Sequence, residues 1–211
     1  MKIALFGAMG NIGRRIAQEA LTRGHEVTAV ARDPSRVDLP RNRLTVAKGD
    51  VLNPDSVATA VAGHDIVISA VGPGRDGDPQ MIVKAAHSLI DGVKRAKVRR
   101  LIVVGGAGSL EIASGRQLID TPEFPAAWKP AAEAHRAALA IYRAADLDWT
   151  YLSPAAFIQP GERTGKYRTG TDQLVTDERG ESRISMEDYA MALLDEVEHP
   201  KFIRQRFTAA H

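Results

Sequence analysis

Short apolar runs alternate with longer amphipathic segments from the first residues of this chain. Lys2–Phe6 is an apolar run that ends at a glycine, as is typical of a buried strand. The next segment carries apolar residues at helical spacing and stops at Gly24, where a helix would end. The same alternation predicts further strands at Glu26–Ala31, Leu44–Lys48, Asp65–Ala70, Arg100–Val104 and Asp148–Leu152, and helices at Asn11–Arg23, Pro54–Ala62, Pro79–Ala96 and Ala131–Ala145.

The order of these elements predicts a parallel sheet. A helix between two strands returns the chain to the edge at which the first strand began, so the next strand runs parallel to it. Right-handed crossovers then build a doubly wound, Rossmann-like α/β sheet. The chain has 211 residues, which suits a single domain over 1–211.

The pattern changes after Pro154. Residues 161–170, GERTGKYRTG, are rich in turn formers and are predicted to form a loop and a hairpin. We expect 154–185 and 200–211 to form a small substrate-side subregion next to the carboxyl ends of the strands. This part is too short for a domain of its own.

A last helix is predicted to begin at Ser185. The Ser185 hydroxyl can accept from the backbone N–H of Asp188, and the Asp188 carboxylate can reach back to the start of the helix. The helix is expected to end at His199–Pro200. Phe202–Thr208 is then predicted as an edge strand.

Composition narrows the function classes. The net charge is +2 and the pI about 9.0, with scattered arginines, so the concentrated basic face of a nucleic-acid-binding protein is not expected. The absence of cysteine excludes disulfides, thiolate metal sites and cysteine nucleophiles. The histidines lack ligand spacing, so no metal site is expected. No segment approaches the roughly 18 apolar residues of a membrane helix, and the first apolar run is too short for a signal peptide, so a cytoplasmic protein is predicted.

The segment GAMGNIG places Gly7, Gly10 and Gly13 between the first strand and the first helix. In a dinucleotide-binding turn the first glycine permits the turn, the second lets a diphosphate approach the backbone, and the third lets the helix pack on the strand. The spacing is G-x-x-G-x-x-G rather than G-x-G-x-x-G. Its position after a strand favours dinucleotide binding over a simple tight turn.

Arg32 stands at the end of the second strand, where an NAD-preferring site carries an acid for the ribose 2′-hydroxyl. A guanidinium at this point can pair with a 2′-phosphate, and Arg36 follows one turn later. We therefore predict a preference for NADP over NAD. Asp33 lies between the two arginines and complicates this assignment unless its carboxylate points away. The alternative is that both arginines are solvated loop charges.

Two further segments belong to the same crevice. Asp50, with Val51, follows the third strand, where its carboxylate can accept from the adenine amino group. Ala70, Val71 and Gly72, in a segment that continues to Gly74, follow the fourth strand at a position that brackets the ribose. Each could also be an ordinary loop.

With these residues in place, the chain resembles the atypical short-chain dehydrogenase/reductases called NAD(P)H-binding or NmrA-like. Within that group it resembles bacterial NADH-flavin reductases and, more distantly, flavin reductases of the biliverdin reductase B type. The resemblance spans the whole chain. Its most distinctive stretches are KIALFGAMGNIG, VVGGAGSL, LDWTYLSPAAF, PGERTGKYRTG and ISMEDYAMALLDE.

The resemblance implies a role for each part of the crevice. The diphosphate would lie on the turn after the first strand, the 2′-phosphate on Arg32, the adenine near Asp50 and Val51, and the ribose near Ala70 to Gly72. The turn comprises Gly7, Ala8, Met9, Gly10, Asn11 and Ile12. The nicotinamide pocket would be lined by Gly105, Gly106, Ser153, Pro154, Ala155, Ala156 and Phe157.

The chain departs from the short-chain dehydrogenases at the catalytic residues. Their Tyr-x-x-x-Lys pair is missing from the helix after the fifth strand, and glycine stands where their serine is expected. These losses argue against alcohol oxidation or epimerisation, which need a base close to a hydroxyl. Hydride transfer to a conjugated acceptor needs only alignment and exclusion of water. The glycines at 105–108 are expected to let a flat isoalloxazine lie close to the backbone.

The catalytic residues therefore stay unknown at this stage. His135 could donate a proton or hydrogen-bond a substrate, or be a partly buried structural residue. Ser109 could reach a substrate, although capping a turn is the simpler role. Phe157 and Trp128 are candidate stacking walls or core residues.

Arg163 is predicted to contact an anionic acceptor such as a flavin phosphate, together with Lys166 and Arg168, unless this stretch is a solvated hairpin. A Walker A motif is excluded here, because only three residues separate Gly161 from Gly165.

The sequence thus predicts an NADPH-dependent reductase of a small flavin-like or quinone-like acceptor, with FMN or FAD as substrate and not as a tightly held cofactor. No nucleic acid and no membrane are expected as partners, and the protein is predicted to be a monomer or homodimer. The main alternative is an NmrA-like dinucleotide-sensing regulator without turnover. An NADP-dependent epimerase or dehydratase is the weaker alternative.

Overall fold

The strands are short apolar runs because most of the central sheet is covered by helices on both faces. The computed structural model describes residues 1–39, 42–73 and 77–211. Its strands are β1 Lys2–Phe6, β2 Glu26–Ala31, β3 Leu44–Lys48, β4 Ile66–Ser69, β5 Arg100–Val104, β6 Glu111–Ala113, β7 Arg116–Gln117, β8 Asp148–Pro154, β9 Phe157–Gln159, β10 Arg168–Gly170, β11 Arg183–Ser185 and β12 Gln205–Ala210. Its α-helices are α1 Asn11–Thr22, α2 Pro54–Val61, α3 Gln80–Arg95, α4 Lys129–Arg143 and α5 Met186–Glu198.

Eight strands form the central sheet in the order β10-β12-β8-β5-β4-β1-β2-β3. All neighbours pair in parallel except β10 and β12, which are antiparallel. One core layer packs α1 and α5 against the sheet, and a second packs α2, α3 and α4 against its other face. The predicted doubly wound, Rossmann-like α/β fold is confirmed.

The predicted bounds of β1, β2, β3 and β5 coincide with those observed. α4 begins two residues earlier than predicted, at Lys129, and β8 continues two residues further, to Pro154. Two small sheets, β6 with β7 and β9 with β11, were not predicted. No helix in the described ranges is long and apolar enough to cross a membrane.

The prediction of an edge strand near the end of the chain is wrong. β12 lies inside the sheet, parallel to β8 and antiparallel to β10, and β10 forms the edge. All of its residues except Gln205 are buried, including the polar Arg206 and Thr208, because strands lie on both sides of it. The predicted local hairpin within 161–170 is also wrong, because Arg168 pairs with Ala210, far along the chain.

The last helix starts as predicted, with the Ser185 hydroxyl accepting from the Asp188 amide at 3.0 Å. The reciprocal contact is not made. The buried Asp188 carboxylate instead accepts from the Thr164 hydroxyl at 2.6 Å, the Gly165 amide at 2.9 Å and His211 Nε2 at 2.9 Å. Asp188 therefore holds the 161–170 segment and the end of the chain against α5.

Candidate dinucleotide site

The strand order reverses between β1 and β4, so the loops that follow these strands leave in opposite directions at the carboxyl edge of the sheet. Such a reversal opens a crevice in which α/β proteins bind ligands. The two loops touch here, since a Cβ placed on Gly7 would lie 2.4 Å from the carbonyl oxygen of Ala70. Every residue predicted to bind the cofactor lies at, or within a few residues beyond, the carboxyl end of β1, β2, β3, β4, β5 or β8.

The three glycines of the first turn differ in what surrounds them. Gly7 has φ +79°, which favours glycine, and its α-hydrogens face the loop after β4. A Cβ on Gly13 would lie 2.0 Å from the Gly7 carbonyl oxygen, so this glycine lets α1 pack on the turn. A Cβ on Gly10 would meet only the Gly7 carbonyl oxygen, at 3.4 Å. The open space lies at Gly10, where a diphosphate would approach.

The first turn of α1 offers free amides to that space. Gly10 is the N-cap residue, with no side chain to accept from them. Within the described residues, the amide hydrogens of Asn11, Ile12 and Gly13 have no acceptor, and the first turn contains no acid. Such amides and the helix dipole attract anions. Of the remaining turn residues, Ala8 is buried and Met9 is 37% exposed.

Arg32 and Arg36 are both exposed, and Arg32 makes no hydrogen bond or ion pair with any residue the structure describes. The intervening Asp33 is engaged elsewhere. Its carboxylate accepts from the Ser35 amide at 3.1 Å and the Ser35 hydroxyl at 2.6 Å, capping the turn at Pro34–Arg36. These hydrogen bonds, and then the nearby Arg36, lower the pKa of Asp33. The guanidinium of Arg32 is thus available to a ligand.

Asp50 is partly occupied with its own loop. One carboxylate oxygen accepts from the Leu52 amide at 3.0 Å, and the Asp50 amide donates to the Ser56 hydroxyl at 2.9 Å. The second carboxylate oxygen has no partner among the described residues and can accept from an adenine amino group. Val51 is buried beside it.

The loop after β4 has room for a ligand at Gly72. A Cβ placed there would have no atom within 4 Å. Ala70 and Val71 are partly buried, and Gly72 is exposed. Gly74, which the predicted ribose segment includes, lies outside the described residues.

The glycines after β5 do not leave room for a flat ligand on their Cβ side, so that expectation is wrong. A Cβ on Gly105 would lie 2.0 Å from Cε1 of Tyr151, and one on Gly106 would lie 2.9 Å from Cβ and Cγ of His135. A Cβ on Gly108 would lie 2.7 Å from the side chain of Ala132. These glycines serve the close packing of β8 and α4 against the strand end.

Tyr151 is a site residue that the sequence reasoning missed. Its hydroxyl donates to the backbone carbonyl of His135 at 3.1 Å and lies 3.0 Å from Nδ1 of the same residue. Burial raises the pKa of Tyr151 above its ordinary value and lowers that of His135 to about 4. Both side chains are therefore neutral at pH 7. Tyr151 precedes the SPAAF stretch by two residues, so the two-residue period of a strand places it on the same sheet face as Ser153.

Two weaker candidates have other partners. Ser109 is buried, and its hydroxyl accepts from Arg206 at 2.8 Å. Arg163 forms a bidentate pair with Glu19 on α1, at 2.9 and 2.8 Å. Glu19 lies eight residues beyond the start of α1, roughly 12 Å along the helix axis. The geometry gives both residues structural roles and does not bring Arg163 to the free amides.

The end of β8 contributes a mostly buried wall. Pro154 and Ala155 are buried, and the Ser153 hydroxyl is fully buried with no partner among the described residues. Phe157, by contrast, is 52% exposed and carries Arg183 over its ring at 5.2 Å from the centroid. Trp128, at the start of α4, is also 52% exposed. Neither aromatic ring is a core residue, and both remain candidates for stacking.

Within 1–39, 42–73 and 77–211, no group of three or more His, Cys, Asp or Glu side chains is arranged to hold a metal ion. The features of the crevice are therefore free amides, an available guanidinium and a neutral histidine–tyrosine pair. This combination fits an anionic dinucleotide.

Comparison with known proteins agrees with this geometry. A family model described as NAD(P)H-binding matches residues 7–200. The chain belongs to the NAD(P)H-binding family. The predicted membership of an NAD(P)H-binding family is thereby confirmed.

Three crystal structures of related proteins share the fold of this member of the NAD(P)H-binding family. A Burkholderia pseudomallei protein named a "putative exported protein" is 51% identical with a TM-score of 0.92, and 100% of each chain is covered. A Bacteroides thetaiotaomicron protein named a "putative epimerase" is 44% identical with a TM-score of 0.91, covering 100% of this chain and 96% of that one. A Streptococcus pneumoniae TIGR4 protein named a "putative NADH-flavin reductase" is 35% identical with a TM-score of 0.88, covering 100% of this chain and 99% of that one.

Proposed function

We propose that this protein is an NADPH-dependent reductase that reduces a flavin or a similar conjugated acceptor by aligning it with the nicotinamide. The observation that carries the proposal is the group of free amides at the start of α1. It is joined by the chemistry of two described residues at the nicotinamide end, because burial raises the pKa of Tyr151 and lowers that of His135, so that neither is suited to remove a proton at neutral pH. When bound, NADPH supplies the hydride. The Streptococcus pneumoniae TIGR4 relative, which is named a "putative NADH-flavin reductase", supports the general class.

Residues of the crevice fit two parts of the dinucleotide, the diphosphate and the 2′-phosphate. The amides of Asn11, Ile12 and Gly13 would hold the diphosphate in the space that Gly10 leaves open. Arg32 would pair with the 2′-phosphate, because Asp33 is turned to Ser35 and does not repel it.

The nicotinamide end favours reduction over epimerisation or alcohol oxidation. Those reactions need a group that removes a proton near pH 7. The buried Tyr151 has a raised pKa, so it cannot readily lose a proton, and the pKa of about 4 makes the neutral His135 ring only a weak base near pH 7. A conjugated acceptor accommodates the electron pair itself, and water can supply its proton.

Exposed apolar side chains at the carboxyl edge would help to hold a flat acceptor. Two exposed aromatic residues lie on the side of the crevice assigned to the acceptor: Phe157, which follows β8, and Trp128, at the start of α4. An aromatic acceptor that covers such side chains gains the hydrophobic and stacking energy of the contact.

Stopped-flow measurement of NADPH oxidation with and without FMN tests the reaction. We expect oxidation to depend on FMN concentration. If NADPH binds but no flavin or quinone accelerates its oxidation, the alternative of a dinucleotide-sensing regulator is favoured instead.

Replacing Arg32 tests the cofactor assignment. Arg32→Asp should weaken NADPH binding by about 100-fold, since a charge-assisted bidentate pair is lost and a like charge is introduced, and should leave NADH binding nearly unchanged. Lys94→Asp is the matched control, because Lys94 is exposed in the last turn of α3, at the opposite edge of the sheet, and like Arg32 has no ion pair with any described residue. Equal losses of NADPH and NADH affinity in Arg32→Asp would contradict the assignment.

We further propose that the protein acts in the cytoplasm as a monomer or homodimer. The lack of cysteine fits a reducing compartment. Cell fractionation with a specific antibody tests the location. Recovery of the protein in a periplasmic or secreted fraction would contradict the proposal, and the name of the Burkholderia pseudomallei relative is the reason to examine those fractions. Light scattering of the purified protein tests the oligomeric state.

A further inference from the structure

The histidine on α4 is held by two polar contacts to one tyrosine. His135 Nδ1 lies 3.0 Å from the Tyr151 hydroxyl oxygen, and the same hydroxyl lies 3.1 Å from the backbone carbonyl oxygen of His135. The two rings meet edge to face, with an interplanar angle of 72°. Tyr151 is almost fully buried between β5 and α4, so this arrangement is rigid.

The hydrogen atoms of this pair can be assigned from valence. The Tyr151 hydroxyl has one proton and two acceptors within reach, the His135 carbonyl oxygen at 3.1 Å and Nδ1 at 3.0 Å. When the hydroxyl donates to the carbonyl, its oxygen offers only lone pairs to Nδ1. Nδ1 then carries the ring proton and donates it to Tyr151, and this is the tautomer on which the inference rests.

This assignment leaves Nε2 of His135 unprotonated. No described residue hydrogen-bonds it, and the His135 side chain is partly exposed. Cδ2, the ring atom bonded to Nε2, faces Gly106, since a Cβ placed on that glycine would lie 3.1 Å from it. The cavity that His135 shares with Ser69 and Val71 has a volume of about 10 Å³, so an acceptor has to reach Nε2 from the partly exposed side. Because burial lowers the pKa of His135 to about 4, the ring stays neutral over the physiological range.

We propose that Nε2 of His135 accepts a hydrogen bond from a ring N–H of the electron acceptor, so that the site selects heteroaromatic imides such as flavins over quinones. This inference rests on the proposed function. A quinone presents carbonyl oxygens, which only accept, and would leave Nε2 facing another acceptor. A flavin presents an imide N–H at N3, which can donate to Nε2.

The tautomer is tested first, independently of any reaction. Two-bond proton–nitrogen NMR of the protein saturated with NADP⁺ should assign the ring proton of His135 to Nδ1. Tyr151→Phe removes the hydroxyl that fixes this tautomer and should shift the population toward Nε2–H. A wild-type spectrum with the proton on Nε2 would overturn the inference.

Binding of lumiflavin and 3-methyllumiflavin to the NADP⁺-bound protein tests the selection. The oxidised dinucleotide prevents turnover, so flavin fluorescence reports affinity alone. We expect the parent flavin to bind about 10-fold more tightly, as one lost hydrogen bond to a desolvated acceptor implies. The preference should vanish in His135→Phe and persist in His135→Gln, whose amide oxygen can accept.

The outcomes separate the two proposals. If FMN oxidises NADPH but both lumiflavins bind wild-type protein equally, the inference is wrong and the proposed function stands. If neither flavin binds and FMN does not accelerate NADPH oxidation, both are wrong. A change in NADPH affinity alone in His135→Phe, with the flavin preference intact, would assign Nε2 to the dinucleotide and overturn the inference.

Discussion

Alanine at Gly10 should separate binding of the dinucleotide from folding of the chain. Gly10 has φ −71° and ψ 164°, which alanine readily adopts, and the new Cβ would lie 3.4 Å from the Gly7 carbonyl oxygen, an ordinary contact. An alanine N-cap costs about 0.5–1 kcal/mol, and lower entropy of the unfolded chain returns about 0.4–1 kcal/mol. The free energy of unfolding should therefore change by less than about 1 kcal/mol.

The same methyl group would occupy the space that a diphosphate needs. Loss of one charge-assisted hydrogen bond to a backbone amide is worth about 1.5–3 kcal/mol. Gly10→Ala should thus bind NADPH about 10- to 100-fold more weakly, as measured by calorimetry. Gly13→Ala is the contrasting variant, because its Cβ would lie 2.0 Å from the Gly7 carbonyl oxygen and should destabilise the fold itself. NADPH affinity within twofold of wild type in a well-folded Gly10→Ala protein would refute this account of the turn.

Two further predictions concern the packing and protonation of the nicotinamide end. Gly105→Ala places a Cβ 2.0 Å from the Tyr151 ring and should lower the free energy of unfolding by at least about 1–3 kcal/mol, measured by urea denaturation. Gly72→Ala is the control, because its Cβ would have no atom within 4 Å and should change this free energy little. Equal urea midpoints for the two variants would contradict this account of the packing. His135 has a folded pKa of about 4, below its ordinary value of 6.5, so the unfolded chain takes up this proton at higher pH than the folded chain. The free energy of unfolding should therefore fall as the pH is lowered from about 6.5 to about 4, by up to about 3 kcal/mol from this group. In His135→Gln this fall should be smaller. A pH profile of stability that the substitution leaves unchanged would show that His135 does not cause the fall.

Local pattern was enough to predict most of the parallel sheet. The strands β1, β2, β3 and β5 are apolar runs bounded by turn residues, and their limits follow from the residues themselves. The position of β12 could not be predicted in this way. β12 pairs with β8 on one side, where Gln205 lies opposite Thr150, and with β10 on the other. Its position therefore depends on two earlier strands and not on its own residue pattern.

The role of a site residue could be predicted where the local backbone conformation determines it. It could not be predicted where it depends on a contact with a residue far away in the sequence. The glycine turn is recognisable because it stands between an apolar strand and a helix, and because Gly13 packs on the Gly7 carbonyl oxygen only six residues earlier. Arg163 looked available for an anion, but its partner Glu19 is 144 residues away in sequence. Gly105 suggested room for a ligand, yet the space belongs to Tyr151, whose position depends on how β8 packs beside β5.

The late strand in the middle of the sheet has a consequence for how the protein is made. β10 has only β12 beside it in the sheet, and β12 begins at Gln205, well after β10 ends at Gly170. During translation β10 therefore has no strand to pair with until residues 205–210 leave the ribosome. Strands β1 to β5 can pair with one another early, whereas β10 gains its partner last, so a stalled or shortened chain would leave Arg168–Gly170 as an unpaired strand.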